Sequence, residues 1–336
     1  MRSRLVDEHG RVAFGLRDDP VDVVNALDFD LRDPFGRRRR GWRRRLAHKR
    51  FQYFGGIAED VVFGCALADM RVVGLVFVYA WRPADGRMLI ERSFRLPSAR
   101  GLDLTDSPTD GSSRFARGEA RVEMRYGSDG KRLAVRLGTA LAIDAHLADA
   151  PPYHPLVICT QAGKTGWVYA QKTAGAPVAG TLRAPGLAVD LAAAGCFGHH
   201  DFSSGFMRRE TVWNWACLSG RSTDGACIGL NLSCGVNETS WTENCLWIDD
   251  ALVKVDFGRF AFDRDDLTAP WRVTSGDGAV RLVFTPAGSH QERLSLGVVA
   301  TDFHQLFGRF EGELVAGGRT HRVACLGFVE DQYARW

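Results

Sequence analysis

At 336 residues the chain is long enough for one large β architecture or two domains of ordinary size, each able to bury a core. Its 43 basic residues against 40 acidic ones leave a net charge of +3, too small by itself to imply a nucleic-acid partner. Eight cysteines, at positions 65, 159, 196, 217, 227, 234, 245 and 325, include no C-x-x-C pair, which argues against a zinc ribbon and against a redox dithiol. The first twenty residues are charged throughout and lack the apolar core of a signal peptide. The expectation is therefore a cytoplasmic protein whose cysteines are reduced and mostly buried. No apolar run reaches the ~18 residues of a membrane span.

Residues 1–50 read as an extended lead-in, with a turn at Asp7-Glu8-His9-Gly10 and a helical piece at 21–27. The lead-in ends in a basic block, Arg37, Arg38, Arg39, Arg40, Arg43, Arg44 and Arg45, with Trp42 inside it and Lys49 and Arg50 just beyond. The block fits a solvated helix face whose charge pairs with acidic loops, or a weak contact with an anionic membrane surface. From Phe51 the period becomes that of strands, with segments at 61–69, 71–81 and 87–91. The clearest hairpin is 119–137. Ala120, Val122, Met124 and Tyr126 alternate with charged residues, Gly127-Ser128-Asp129-Gly130 turns the chain, and Leu133, Val135 and Leu137 return. Strands follow at 141–146, 156–160, 166–172 and 177–183, and the alanine-rich 186–195 reads as one or two helical turns connecting the halves. Strand grammar then restarts, at 211–218, 226–234, 244–248, 251–255, 271–274, 280–285, 293–300, 308–315 and 320–326. Many short strands with almost no long helical pattern predict a barrel or sandwich. The predicted division is a lead-in at 1–50, a first barrel at 51–190 and a second at 191–336, which carries the main motifs.

The densest group of polar and aromatic residues lies between Gly198 and Asn244. In an extended chain Trp213 and Trp215 point to one face and Asn214 to the other. Gly229, Asn231 and Ser233 alternate with Ile228, Leu230 and Leu232; Asn237-Glu238 and Glu243-Asn244 come next. This pattern suits a wet sheet face, and it also suits the polar end of a cavity.

Several runs together resemble the domain of unknown function 2804 family. They are Gly198-His199-His200-Asp201-Phe202-Ser203-Ser204-Gly205, Trp213-Asn214-Trp215, Gly229-Leu230-Asn231-Leu232, Asn237-Glu238 and Glu243-Asn244. Gln171-Lys172-Thr173, Pro270-Trp271-Arg272, Gln305-Leu306-Phe307-Gly308, Gly327-Phe328-Val329-Glu330 and Ala334-Arg335-Trp336 extend the resemblance over nearly the whole chain. It implies a fold distantly similar to the two-barrel, lipocalin-like (calycin) proteins of the carotenoid hydratase type. The expected fold is all-β, two consecutive antiparallel lipocalin-like barrels or sandwiches with few short helices. Enzymes among those relatives bind a long apolar substrate between or within barrels and donate or relay a proton.

Acid-catalysed hydration, isomerisation or cyclisation needs an acid poised near its working pH, a group to stabilise a cation or enolate, and a dry pocket. Asp201 and its neighbour His200 are candidates for the acid, because shielding by aromatics raises a carboxyl pKa and an adjacent imidazole couples to it. Glu243 and Glu330 are further catalytic candidates, as is Glu238, counted with the ligand-binding group. Trp213 and Trp215 can face a developing cation, and Asn214, Asn231, Asn237 and Gln305 can orient a ligand. Lys172 can hold a substrate carboxylate or pair with a glutamate. Each has a structural counterpart: a turn capped by Asp201 through Ser203 and Ser204, core tryptophans, a structural amide network. His199 and His200 point apart in a strand and lack H-x-H or H-x-x-x-H spacing, so no metal is expected. No G-x-S-x-G, G-x-G-x-x-G or P-loop occurs, which sets aside hydrolase and nucleotide readings and leaves no cofactor expected. The expected partner is a hydrophobic small molecule and no nucleic acid. The expected function is a cofactor-independent hydratase, isomerase or cyclase for a lipid-, terpenoid- or polyene-like substrate; the alternative is a non-catalytic carrier of such a ligand.

Overall fold

The computed structural model describes residues 2–236, 241–297 and 299–335. The chain is all-β: two curled antiparallel sheets, one nearly closed into a barrel and one a half-barrel, with a single α-helix, Gly41–Ala47, among the described residues. Among the described residues no helix is long and apolar enough to cross a membrane.

The first sheet runs from Arg87–Pro97 through Val73–Arg82, Val62–Asp69, Lys49–Ile57, Phe197–Gly205, Gly166–Ala184, Leu141–Leu147, Gly130–Leu137, Ala120–Gly127 and Gly111–Arg117 to Leu102–Asp103. The predicted hairpin is present, with Ala120 opposite Leu137 and Gly127 opposite Gly130. Gly130, at φ +116°, stands where a Cβ would lie 2.2 Å from the Leu147 carbonyl oxygen, so this strand entry requires glycine. The second sheet runs Ala251–Lys254, Cys245–Ile248, Cys227–Cys234, Glu210–Arg221, Arg319–Arg335, Ala300–Ala316, Val280–Ser295, Trp271–Ser275, Gly258–Ala261. Its last strands are far longer than the segments read from hydrophobic period, because bends such as the register shift between Pro286 and Gly288 interrupt the alternation without ending the strand.

Three elements differ from expectation. The stretch 186–195 holds the strand Leu187–Asp190 followed by turns, and 21–27 contributes only the short 3₁₀ helix Ala26–Asp28. Phe197–Gly205, read above with the second half, pairs with Lys49–Ile57 and Gly166–Ala184 in the middle of the first sheet. All nine of its residues are buried, so both faces are covered and no polar side marks it as a strand.

The second sheet has two buried faces. One encloses its own core around Leu218, Leu230, Trp271, Phe284, Phe310 and Val329. The other presents Trp215, Trp247, Phe307 and Phe328 to the first sheet, in one continuous cluster with Tyr53, Phe77, Tyr79 and Trp81. Backbones touch where Gly229 meets the Gly166–Ala184 strand: a Cβ there would lie 2.2 Å from the Ala174 carbonyl oxygen. Next to this contact Ser219 Oγ accepts from the Gly175 N–H at 3.0 Å and donates to the Gly198 carbonyl at 3.1 Å, tying three strands across the interface.

Candidate active site

Strand alternation decides which side chains enter the interface. On Phe197–Gly205, His199, Asp201 and Ser203 face the second sheet, while His200, Phe202 and Ser204 face the first barrel's interior. Lys172 lies directly opposite Asp201 across the neighbouring strand pair. From the second sheet come Trp213, Trp215, Ser233 and Glu330, and from the segment just before Cys245–Ile248 comes Glu243. Together they border a cavity of about 160 Å³ between the sheets, whose walls are mainly apolar: Phe51, Met70, Leu75, Phe77, Val168 and Phe303.

Lys172 is the centre of the charged part. Its Nζ donates to Asp201 Oδ2 at 2.6 Å, lies 3.6 Å from Glu243 Oε1, and sits 4.6 Å from the Trp215 ring centroid. Burial opposes its charge, but Asp201 and Glu243 outweigh that and hold the ammonium protonated, above the ordinary lysine range. Burial pushes the Asp201 carboxyl upward against the pull of Lys172. Ser203 Oγ donates to Asp201 Oδ1 at 2.7 Å and Ser233 Oγ to Glu243 Oε1 at 3.1 Å, so both carboxylates are held twice. Asn231 stands behind them, accepting from Trp215 Nε1 at 2.8 Å and donating to the Glu243 carbonyl at 2.8 Å.

Glu330 is set apart from this cluster. Trp213 Nε1 donates to its Oε2 at 3.0 Å and Gln305 Nε2 to its Oε1 at 2.8 Å. Among the described residues no cation lies within ion-pairing distance of it. Burial pushes its carboxyl up to about 7, more than the Trp213 and Gln305 hydrogen bonds pull it down. The result is a carboxylic acid that changes charge near neutrality, fixed in rotamer by an indole and an amide, on the wall of an apolar space.

The structure thus brings together Asp201, Glu243, Glu330, Lys172, Trp213 and Trp215, with Asn231 and Gln305 one hydrogen bond behind. It separates two others. Asn214 points away and bonds Asp331 Oδ1 at 2.8 Å. His200 points into the first barrel with its Nε2 3.3 Å from the Tyr126 hydroxyl, and burial together with Lys131 and Lys172 drives its pKa far down, so it is a neutral ring that does not share the Asp201 cavity. Asn237 and Glu238 lie outside the described residues.

Lys49, which adjoins the arginine block in sequence, is a cavity residue. It is 6% exposed, and its Nζ donates to the carbonyls of Leu46 at 2.7 Å and Met70 at 3.0 Å. Burial, reinforced by Arg71, brings its pKa down to about 8. The Lys49–Ile57 strand pairs with Phe197–Gly205 so that Lys49 faces Gly205 and Tyr53 faces Asp201. Lys49 is therefore four residues, or about 13 Å of strand, from the Asp201 level. Nothing in the local composition sets this lysine apart from its basic neighbours, and only the pairing places it in the wall.

The family model described as a domain of unknown function (DUF2804) matches residues 2–336. The chain belongs to the DUF2804 family. No curated protein matches this DUF2804 chain. Among solved structures, it is similar to kievitone hydratase from Nectria haematococca at 12% identity, over 84% of this chain and 88% of that one, with a TM-score of 0.49. It is also similar to a protein of Nitrosomonas europaea provisionally named AttH, at 12% identity, over 84% of this chain and 92% of that one, with a TM-score of 0.42. Both scores fall below 0.5, so the architecture of this DUF2804 member rests on its own strands.

Proposed function

We propose that the protein is an acid–base enzyme of the hydratase, isomerase or cyclase kind, working through its own side chains on a hydrophobic, lipid-, terpenoid- or polyene-like molecule held between the sheets. The observation that supports this is Glu330: a fully buried carboxyl with a pKa of about 7, gripped by Trp213 and Gln305 beside apolar walls. A general acid is most effective when its pKa lies near the working pH, and an apolar pocket is the usual means of raising a carboxyl there.

In the hydration form of the chemistry, protonated Glu330 gives its proton to one carbon of a substrate double bond, whose π electrons form the new C–H bond. The cation left on the adjacent carbon faces the indoles of Trp213 and Trp215. Water adds to it, and a proton from that water passes to the Asp201 or Glu243 carboxylate, then back to Glu330, so the balance is addition of one water. Isomerisation or cyclisation uses the same first step and ends with loss of a carbon-bound proton to a carboxylate. Lys172 orients the Asp201 carboxyl through its hydrogen bond and lies 3.6 Å from Glu243. Lys49, which among the described residues has no carboxylate within ion-pairing distance, suits a polar or acidic end of the substrate.

The test begins with mass spectrometry of an organic extract of the purified protein, compared with a Trp213→Ala, Trp215→Ala variant, to supply the apolar ligand. Incubating that ligand with wild type and Glu330→Gln then separates the two functions. An enzyme loses at least about 100-fold of its conversion in the variant while still binding the ligand. Ligand that is retained by both proteins and never converted identifies a carrier.

A further inference from the structure

The arginine-rich segment, unused by this chemistry, has a structure of its own. Around residues 32–38 the chain doubles back, with Arg32 bridged to Arg38 and the Gly36 N–H bonded to the Asp33 carbonyl at 2.9 Å. Phe35 stands near the tip of this turn and is 88% exposed. The helix Gly41–Ala47 follows, with no buried residue. Trp42 and Leu46, four residues apart and so on one face, are 66% and 40% exposed. Arginines surround these apolar side chains. Of Arg37, Arg38, Arg39, Arg40, Arg43, Arg44 and Arg45, only Arg38 makes an ion pair among the described residues, with Asp30 at 3.0 Å. Arg43 instead lies 5.4 Å from the Trp42 ring centroid. Pairing with acidic loops therefore does not account for the block, and a purely solvated face has no need to expose Phe35, Trp42 and Leu46 together.

The helix is also fastened to the cavity. The Leu46 carbonyl accepts from Lys49 Nζ, and Arg71 donates to the His48 carbonyl at 3.2 Å. Lys49 and Arg50 line the cavity wall.

We propose that residues 35–46 form a docking surface for an anionic lipid leaflet, which sets the adjoining cavity against the membrane from which an apolar molecule would enter. An interfacial helix of this kind places its aromatic and aliphatic side chains in the acyl boundary while its basic residues meet the head groups. A nucleic-acid backbone would engage the arginines but leave Phe35 and Leu46 in water. The docking itself stands on the surface alone; only its purpose rests on the cavity taking an apolar substrate.

Co-sedimentation of the full chain with phosphatidylcholine vesicles, with and without phosphatidylserine, tests the inference. The expected result is binding to the anionic vesicles alone, weakened by salt. Replacing Arg37, Arg39, Arg43 and Arg45 together by serine should cost more than about 100-fold in affinity, at roughly fivefold per basic residue. A Trp42→Ala, Leu46→Ala variant should bind more weakly with all arginines intact. Unchanged circular dichroism and unchanged retention of the cavity ligand keep a misfolded variant, or a failed cavity reading, distinct from failed docking. Wild type that ignores anionic vesicles, binding that survives the arginine replacements, or a single-stranded RNA that binds through these arginines while vesicles do not, would each overturn the proposal.

Discussion

Glu330 and Lys172 show how neighbouring charges in one interface reach opposite states. Lys172 has two carboxylates within 3.6 Å and stays ionised, whereas Glu330 is held by the neutral donors Trp213 and Gln305 and keeps its proton to about pH 7. The Glu330 pKa is raised in the fold, so its effect on stability has a definite sign. Below the unfolded value both states hold the proton. Between that value and about 7 the unfolded chain releases it while the folded chain keeps it, and stability falls as pH rises. At about 1.4 kcal/mol per unit, urea unfolding of wild type against Glu330→Gln should show their difference moving by about 2 kcal/mol in favour of the variant between pH 5 and pH 8. Glu330 was legible in the sequence as a candidate, but only among several acids. The neighbours that single it out, Trp213 and Gln305, lie 117 and 25 residues away along the chain.

At the scale of elements, the strand Phe197–Gly205 determines which residues share a site. Its sequence, rich in His, Ser and Gly, has no apolar–polar alternation, so the paired His200 and Asp201 read as a catalytic couple. Once the segment is a strand, the two point to opposite faces, and His200 bonds Tyr126 inside the first barrel. His200→Gln should therefore cost about 1–2 kcal/mol of stability, by loss of a buried hydrogen bond, and leave conversion of the bound ligand at the wild-type rate. A loss of turnover comparable to that of Glu330→Gln, in a folded His200→Gln protein, would bring His200 back into the mechanism. By contrast, the alternation of Trp213 with Asn214 was legible in the residues alone, and the structure sends the indoles to the cavity and the amide away from it.

For the whole molecule, strand content and an all-β barrel or sandwich could be read from hydrophobic period and turn residues, and the two-barrel plan from the family resemblance. The position of the cavity could not. It depends on which outer face of the first sheet meets the second, and that contact joins Tyr53 to Trp215 and Phe328, Phe77 to Phe303 and Tyr79 to Phe307, residues far apart in sequence and individually ordinary. The same contact needs a residue without a side chain at Gly229. Gly229→Ala should push the Ala174 backbone away, cost about 1–3 kcal/mol in urea unfolding and weaken ligand retention. Equal stability in that variant would mean that the sheets are not pressed together there.

The claim on which the functional account turns is that Glu330 holds its proton to near neutrality in the folded protein. Carboxyl-carbon NMR of protein labelled at glutamate, titrated from pH 4 to pH 9 and assigned by comparison with Glu330→Gln, measures this without a known substrate. One glutamate resonance should show a midpoint near 7 and be missing from the variant. A Glu330 resonance that titrates at the ordinary carboxylate range would contradict it, because a carboxyl already ionised there has no proton to give.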